Sequence, residues 1–301
     1  MSTLGVIGVP TSAGAFAPGQ EEAPAALREA GLVDLLRESG HEVYDRGDRD
    51  RWRWRPDRDN PLAQNLGKVV EIVADTAGRV TESTGAGETT LVLGGDCTVG
   101  IGTVAGHAES GERVGLVYFD LHADLNVPRN VLPGTLDWMG MAHMLGEPGT
   151  ERALVEVGPT TPLLGSDQVV LLGWGPEQAQ PGERETIERR GIDAVAVDEL
   201  RSDPTAAASR ALELLGDRAE RVVVHFDVDV IDFTDVPLSE NPGRNEGVAY
   251  ADAIAALGTL LREPRLAGVT VTELNPAHVE EGAGSIERLA GDVAGGFAAG
   301  R

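Results

Sequence analysis

Two groups of acidic residues begin where an apolar run ends: DLHAD at 120–124 follows VGLVYF, and DVDVID at 227–232 follows VVVHF. Each short apolar run reads as a strand buried on both faces, the kind found in a parallel sheet. In an open parallel sheet the carboxyl ends of the strands line the ligand crevice, so both clusters are expected at one edge. Carboxylates placed there are tolerated only when they are paired or bind a metal. Asp120, His122 and Asp124 share the two-residue period that puts alternate side chains on one face, and so do Asp227 and Asp229. Either cluster alone fits acids capping a following helix. Two clusters, each at a strand end and each at ligand spacing, point instead to a metal site.

The rest of the chain supports this frame. Strands are expected at 4–9, 90–93, 114–119, 169–172, 221–226 and 267–271, alternating with Ala/Leu/Glu/Arg-rich stretches, the pattern of repeated βα units. Helices are expected at 24–38, where Pro24 suits a first turn and Gly40 ends the run, and at 66–81, 207–215 and 250–261. The stretch 46–60, crowded with Arg and Asp around Trp52 and Trp54, reads as an exposed loop. No repeat or linker divides the chain, so residues 1–301 read as one α/β domain.

Charge narrows the partners. A formal net charge of −24 argues against nucleic acid and anionic membranes and favours a small cationic substrate. No apolar run reaches the roughly 20 residues of a spanning helix, and no leader pattern opens the sequence, so a cytoplasmic protein is expected. The single cysteine, Cys97, has no internal disulfide partner.

Cys97 belongs to a third strand-end segment, LVLGGDCTVGIG at 91–102. Its glycines suggest a phosphate loop, but it has neither the P-loop lysine nor GxGxxG spacing. A fourth segment, VTELNP at 271–276, ends a strand with Glu273, an acid free to face a cation.

Taken in order, GGDC, DLHAD, FDVDVID and TELNP resemble the four motifs of the ureohydrolases, the arginase and agmatinase family, and the opening GVPTSAGAFAPGQEEAPAALREAGL resembles the family's first strand, loop and helix. The resemblance implies a three-layer αβα sandwich around an eight-stranded parallel sheet, with two Mn(II) ions at its C-terminal edge. One ion is implied to be held by Cys97, Asp120, Asp124 and Asp227, and the other by Asp120, His122, Asp227 and Asp229. Two such ions lower the pKa of a shared water, which attacks the guanidinium carbon while Asp229 accepts a proton. Glu273 matches the acid that pairs with the guanidinium, and Asp96 matches an acceptor that orients the ligand loop. Asn126 and Glu183 match residues that contact the α-carboxylate and α-amino groups of arginine. The resemblance thus implies hydrolysis of arginine or a close derivative to ornithine and urea or a urea analogue. A homo-oligomer is the family default.

Several positions depart from the family pattern. Cys97 stands where a histidine is usual, a soft donor for Mn(II), so that site is expected to be weak or retuned. Asp137 falls at the position of the arginase shuttle histidine, Pro133 at that of a serine and Gln180 at that of a second α-amino contact. His143 reads as a packing residue, and so does His225, which lies on the same strand face as Asp227. Phe233 replaces a proline, and residues 241–247 replace a Gly-rich loop. With Cys97, these changes resemble the branch that hydrolyses Nω-hydroxy-L-arginine to ornithine and hydroxyurea. Agmatinase, guanidinobutyrase and formiminoglutamase activities are the alternatives within the family. Outside it, a mononuclear zinc amidase using Asp120, His122 and Asp227 is an alternative, although the usual catalytic His pair is missing. A binding protein that has lost the first metal is a third, disfavoured because the other ligands and Glu273 remain.

Overall fold

The computed structural model describes residues 3–280 and 282–298. Eight strands, β1 (Thr3–Gly8), β2 (Glu42–Asp48), β3 (Thr89–Leu93), β4 (Val114–Phe119), β5 (Val169–Trp174), β6 (Asp193–Ala196), β7 (Arg221–Asp227) and β8 (Leu266–Thr272), form one sheet in the order β2-β1-β3-β8-β7-β4-β5-β6. Every pairing is parallel. Side chains alternate across the sheet into two cores. Val117, Phe119, Val224 and Phe226 pack on one face with helices Leu32–Glu38, Pro204–Leu215, Tyr250–Leu260 and Ser285–Ala298. Leu116, Tyr118, Val223 and Leu171 pack on the other with helices Leu66–Gly85 and Val99–Ala108. This is the expected αβα sandwich. No described helix is long and apolar enough to cross a membrane.

Three local expectations need correction. The segment read as a helix over 24–38 is two helices, Ala23–Glu29 and Leu32–Glu38, because Gly31 takes a φ of 84° between them. The segment read as a loop from residue 46 begins in β2, and beyond it Trp52 forms a parallel bridge to Thr11. The strands β2 and β6, which the sequence reading did not single out, lie at the two edges of the sheet; β2 is largely polar and β6 is only four residues long.

The helices Leu66–Gly85 and Val99–Ala108 approach through glycines. A Cβ on Gly102 would lie 2.6 Å from the Val73 carbonyl oxygen, and one on Gly106 would lie 2.6 Å from that of Ala77. Gly106→Leu is therefore expected to cost about 2 kcal/mol or more through overpacking, read as a fall of several degrees in Tm. An unchanged melting curve would mean that the helix pair yields freely.

Candidate metal centre

The four motif-bearing strands, β3, β8, β7 and β4, are consecutive neighbours in the sheet. Leu93 pairs with Val271, Val271 with Phe226, and Phe226 with Phe119, so one row of residues crosses the sheet directly beneath the four motifs. Backbone hydrogen bonds lock the row above it: Gly94 N donates to Val271 O at 2.8 Å, and Glu273 N donates to Gly95 O at 2.8 Å.

Two clusters of ligand-type groups that share Asp120 occupy this edge, each with its donor atoms within 4.8 Å of one another, and a third such group, Cys97, Asp137 and Glu273, lies beside them. Cys97, Asp120, His225 and Asp227 form one, and Asp120, His122 and Asp229 the other. The Cys97 thiol donates to Asp227 Oδ2 at 2.9 Å, and His122 Nδ1 lies 3.0 Å from Asp229 Oδ2. Asp120 joins both clusters. Asp124 stands slightly apart, in a left-handed conformation with φ 48°, and accepts a hydrogen bond from Tyr118 Oη at 2.5 Å. Asp96, fully buried, accepts from the backbone of Gly14 and Thr98 and so ties the Cys97 turn to the first loop.

The electrostatics of the protein alone are unfavourable. Burial, reinforced by neighbouring carboxylates, holds Asp124 and Asp227 well above the usual carboxylate range and pushes Asp120 up to about 7. Burial also works to raise Asp229 and to lower His122, but their mutual attraction outweighs it in both: Asp229 ends below its ordinary value and His122 well above. Asp120 Oδ2 and Asp229 Oδ1 are buried with no hydrogen-bond partner. Crowded anionic oxygens with unused lone pairs fit a divalent cation, and the oxygen and imidazole donors of the His122 cluster suit a hard one.

Beside the first cluster, Asp137 and Glu273 form a second pair of buried acids. The Cys97 amide donates to Asp137 Oδ1 at 2.5 Å and to Glu273 Oε1 at 3.1 Å, and both carboxyls are raised well above their ordinary range by burial and then by repulsion. Glu273 has a φ of 64°, a strained conformation for a residue with a Cβ, imposed by the bond to Gly95 and by the bond from Glu240 N to its own carbonyl. Strain held in place at a strand end marks a side chain aimed for use.

Cys97, His122, Asp124, Asp137, Asp227, Asp229 and Glu273 open onto one cavity of about 260 Å³, lined also by Phe16, Trp138, Asn126, Gln178, Gln180 and Glu183. Glu183 accepts from Gln180 N at 2.9 Å and Leu125 N at 3.2 Å, and Asn126 hydrogen-bonds to it. The two residues matched to the α-substituents of arginine are thus neighbours in the lining of this cavity. His143 is buried away from the cavity, with Nδ1 bound to Met139 O at 2.7 Å.

Sequence reasoning did not single out Gln20, whose Nε2 donates to Glu273 Oε2 at 3.0 Å, nor Tyr118, nor Asn241, whose Nδ2 lies 3.4 Å from Asp229 Oδ2. Tyr118 carried a signal, since it sits two residues before Asp120 on the same strand face. Gln20, which begins the 3-10 helix Gln20–Glu22, and Asn241, from a loop, lie in segments noted in the sequence but carried no such individual signal.

The comparisons with known proteins agree with this geometry. The model of the Arginase family matches residues 2–296. Human Arginase-1 is 29% identical over 281 residues, covering 91% of this chain and 85% of that protein. The arginase of Brevibacillus brevis is 30% identical over 274 residues, covering 91% and 90%. The crystal structure of arginase from Bacillus subtilis superposes with a TM-score of 0.86 at 26% identity, covering 99% of this chain and 98% of that one.

Proposed function

Since this chain belongs to the arginase family of ureohydrolases, we propose that it hydrolyses the guanidino group of arginine or a close derivative to ornithine and urea or a urea analogue, using two Mn(II) ions. The observation that carries this reading is the meeting of four strand ends around unpartnered carboxylate oxygens, with a separate acid pair facing the cavity. Residues 1–301 serve as one domain.

In this reading Cys97, Asp120, Asp124 and Asp227 hold one ion, and Asp120, His122, Asp227 and Asp229 the other. When bound, the ions supply Lewis acidity and make hydroxide available near neutral pH. The chain's own residues do the rest. Glu273 pairs with the guanidinium and fixes its carbon over the clusters. Asp229 accepts a proton from the attacking water. As the C–N bond breaks, Asp137 supplies a proton to the departing amine, a role that suits a buried carboxyl with a raised pKa. Asn126 and Glu183, across the cavity, engage the α-carboxylate and α-amino groups. Cys97, Phe233 and the 241–247 loop make Nω-hydroxy-L-arginine the leading alternative substrate.

A panel of arginine, Nω-hydroxy-L-arginine, agmatine, guanidinobutyrate and formiminoglutamate, assayed with added Mn(II) for the released amine, tests the reading. Ornithine from the first or second substrate is expected. Turnover confined to the last three would overturn the amino-acid contacts.

Cys97→His gives a further expected outcome. Replacing a thiol with an imidazole should raise Mn(II) retained through dialysis and increase turnover at limiting Mn(II), because Mn(II) prefers nitrogen and oxygen donors. Equal metal content in both proteins would show that Cys97 does not control affinity.

A further inference from the structure

His225 has no part in the proposed reaction, yet its Nε2 faces the Cys97 thiol of the first cluster. His225 Nε2 lies 3.2 Å from Cys97 Sγ and 3.2 Å from Thr272 Oγ1, and Nδ1 is buried with no partner. The ring is held flat against Tyr118, with centroids 4.3 Å apart and planes 6° from parallel. Room for it on the other side exists because residue 100 is glycine, where a Cβ would fall 2.6 Å from His225 Nδ1. A histidine needed only for packing has no reason to direct a nitrogen at a thiol that itself bonds a carboxylate. The donor atoms of Cys97, Asp120, His225 and Asp227 come within 4.8 Å of one another, the compactness that four ligands around one ion require.

We propose that His225 is a metal ligand, and that with Cys97, Asp120 and Asp227 it turns the first subsite into a sulfur, nitrogen and two-oxygen site selective for Zn(II) or Co(II) over Mn(II). The proposal rests on the binuclear reading and alters one half of it. Mn(II) stands lowest in the divalent affinity order, and a thiolate beside an imidazole widens the gap, because softer donors favour the later metals. Four-coordinate sites of cysteine, histidine and carboxylate are typical for zinc. The His122 cluster has no sulfur and keeps its preference for a harder ion. The histidine missing at position 97 is thus replaced from the adjoining strand, and the two subsites differ in the metal they select.

The test uses the full chain freed of metal and titrated with Co(II), whose spectrum reports donor type and geometry without any assay of turnover. The first equivalent is expected to give a thiolate-to-cobalt charge-transfer band with intense visible absorption of a four-coordinate ion, and to resist displacement by excess Mn(II). Cys97→Ser should remove the charge-transfer band. His225→Ala should keep it, shift the visible bands and weaken the first equivalent by at least about tenfold. Cobalt-edge X-ray absorption on the unmutated protein gives a check that needs no variant: one sulfur at about 2.3 Å together with imidazole scattering. Sulfur without imidazole, or a His225→Ala protein with unchanged spectrum and affinity, would overturn the proposal. Two cobalt ions bound with no sulfur contact would overturn it while leaving the binuclear reading intact, and a chain that binds no divalent ion would sink both.

Discussion

Dialysis against a strong chelator is expected to lower hydrolysis by two or more orders of magnitude, with Mn(II) restoring it, because the protein alone offers no other means of generating hydroxide near neutral pH. Asp120, Asp124, Asp227 and Asp229 are all buried at one sheet edge, and His122, beside Asp120 and Asp229, is the one cationic group in the two clusters. Burial and repulsion drive Asp124 and Asp227 toward protonation in the absence of a cation, and Asp120 Oδ2 and Asp229 Oδ1 have no hydrogen-bond partner. A divalent ion removes that conflict, so metal should stabilise the native state as well as activate it, and Tm should rise with Mn(II) concentration. Metal analysis alongside the assay decides the matter. Full activity in protein shown to contain no metal would end the hypothesis.

Glu273→Gln is expected to lower kcat/KM by about 30-fold to several thousandfold, the equivalent of about 2–5 kcal/mol for removing one partner of a buried charge pair. Metal content should not change. Glu273 sits with Asp137 and the Cys97 amide, outside the two clusters that include Asp120, and glutamine preserves an acceptor for that amide. What glutamine cannot supply is the negative charge opposite a guanidinium. Substrate binding and bound metal, measured on the same preparation, separate the two roles. A variant that binds substrate normally but loses metal would place Glu273 among the ligands.

The central strands were legible because β3, β4, β5, β7 and β8 are covered on both faces and read as largely apolar runs. The edge strand β2, with its sequence EVYDRGD, is half exposed, and local composition does not separate it from the loop that follows. The break at Gly31 was hidden for a related reason: the apolar positions on either side keep helical spacing, and only the backbone angle shows that the helix stops.

The candidate site divides in the same way. Its carboxylates stood out because an acid directly after a buried strand carries a desolvation penalty that some partner must offset, and that holds whatever the strand order. The local sequence therefore pointed to a cation near residues 120–124 and 227–232. It could not determine which other groups share that space. Leu93, Phe119, Phe226 and Val271 are far apart along the chain, and only the order β3-β8-β7-β4 makes them one row. That order sets Cys97 against His225, and the packing over the strand ends brings in Asp137 from the 3-10 helix Leu136–Met139, Gln20 from the 3-10 helix Gln20–Glu22 and Asn241 from a loop. Burial penalties are local and can be read from a run of residues, whereas ligand geometry depends on distances between strands, which only the packed sheet decides.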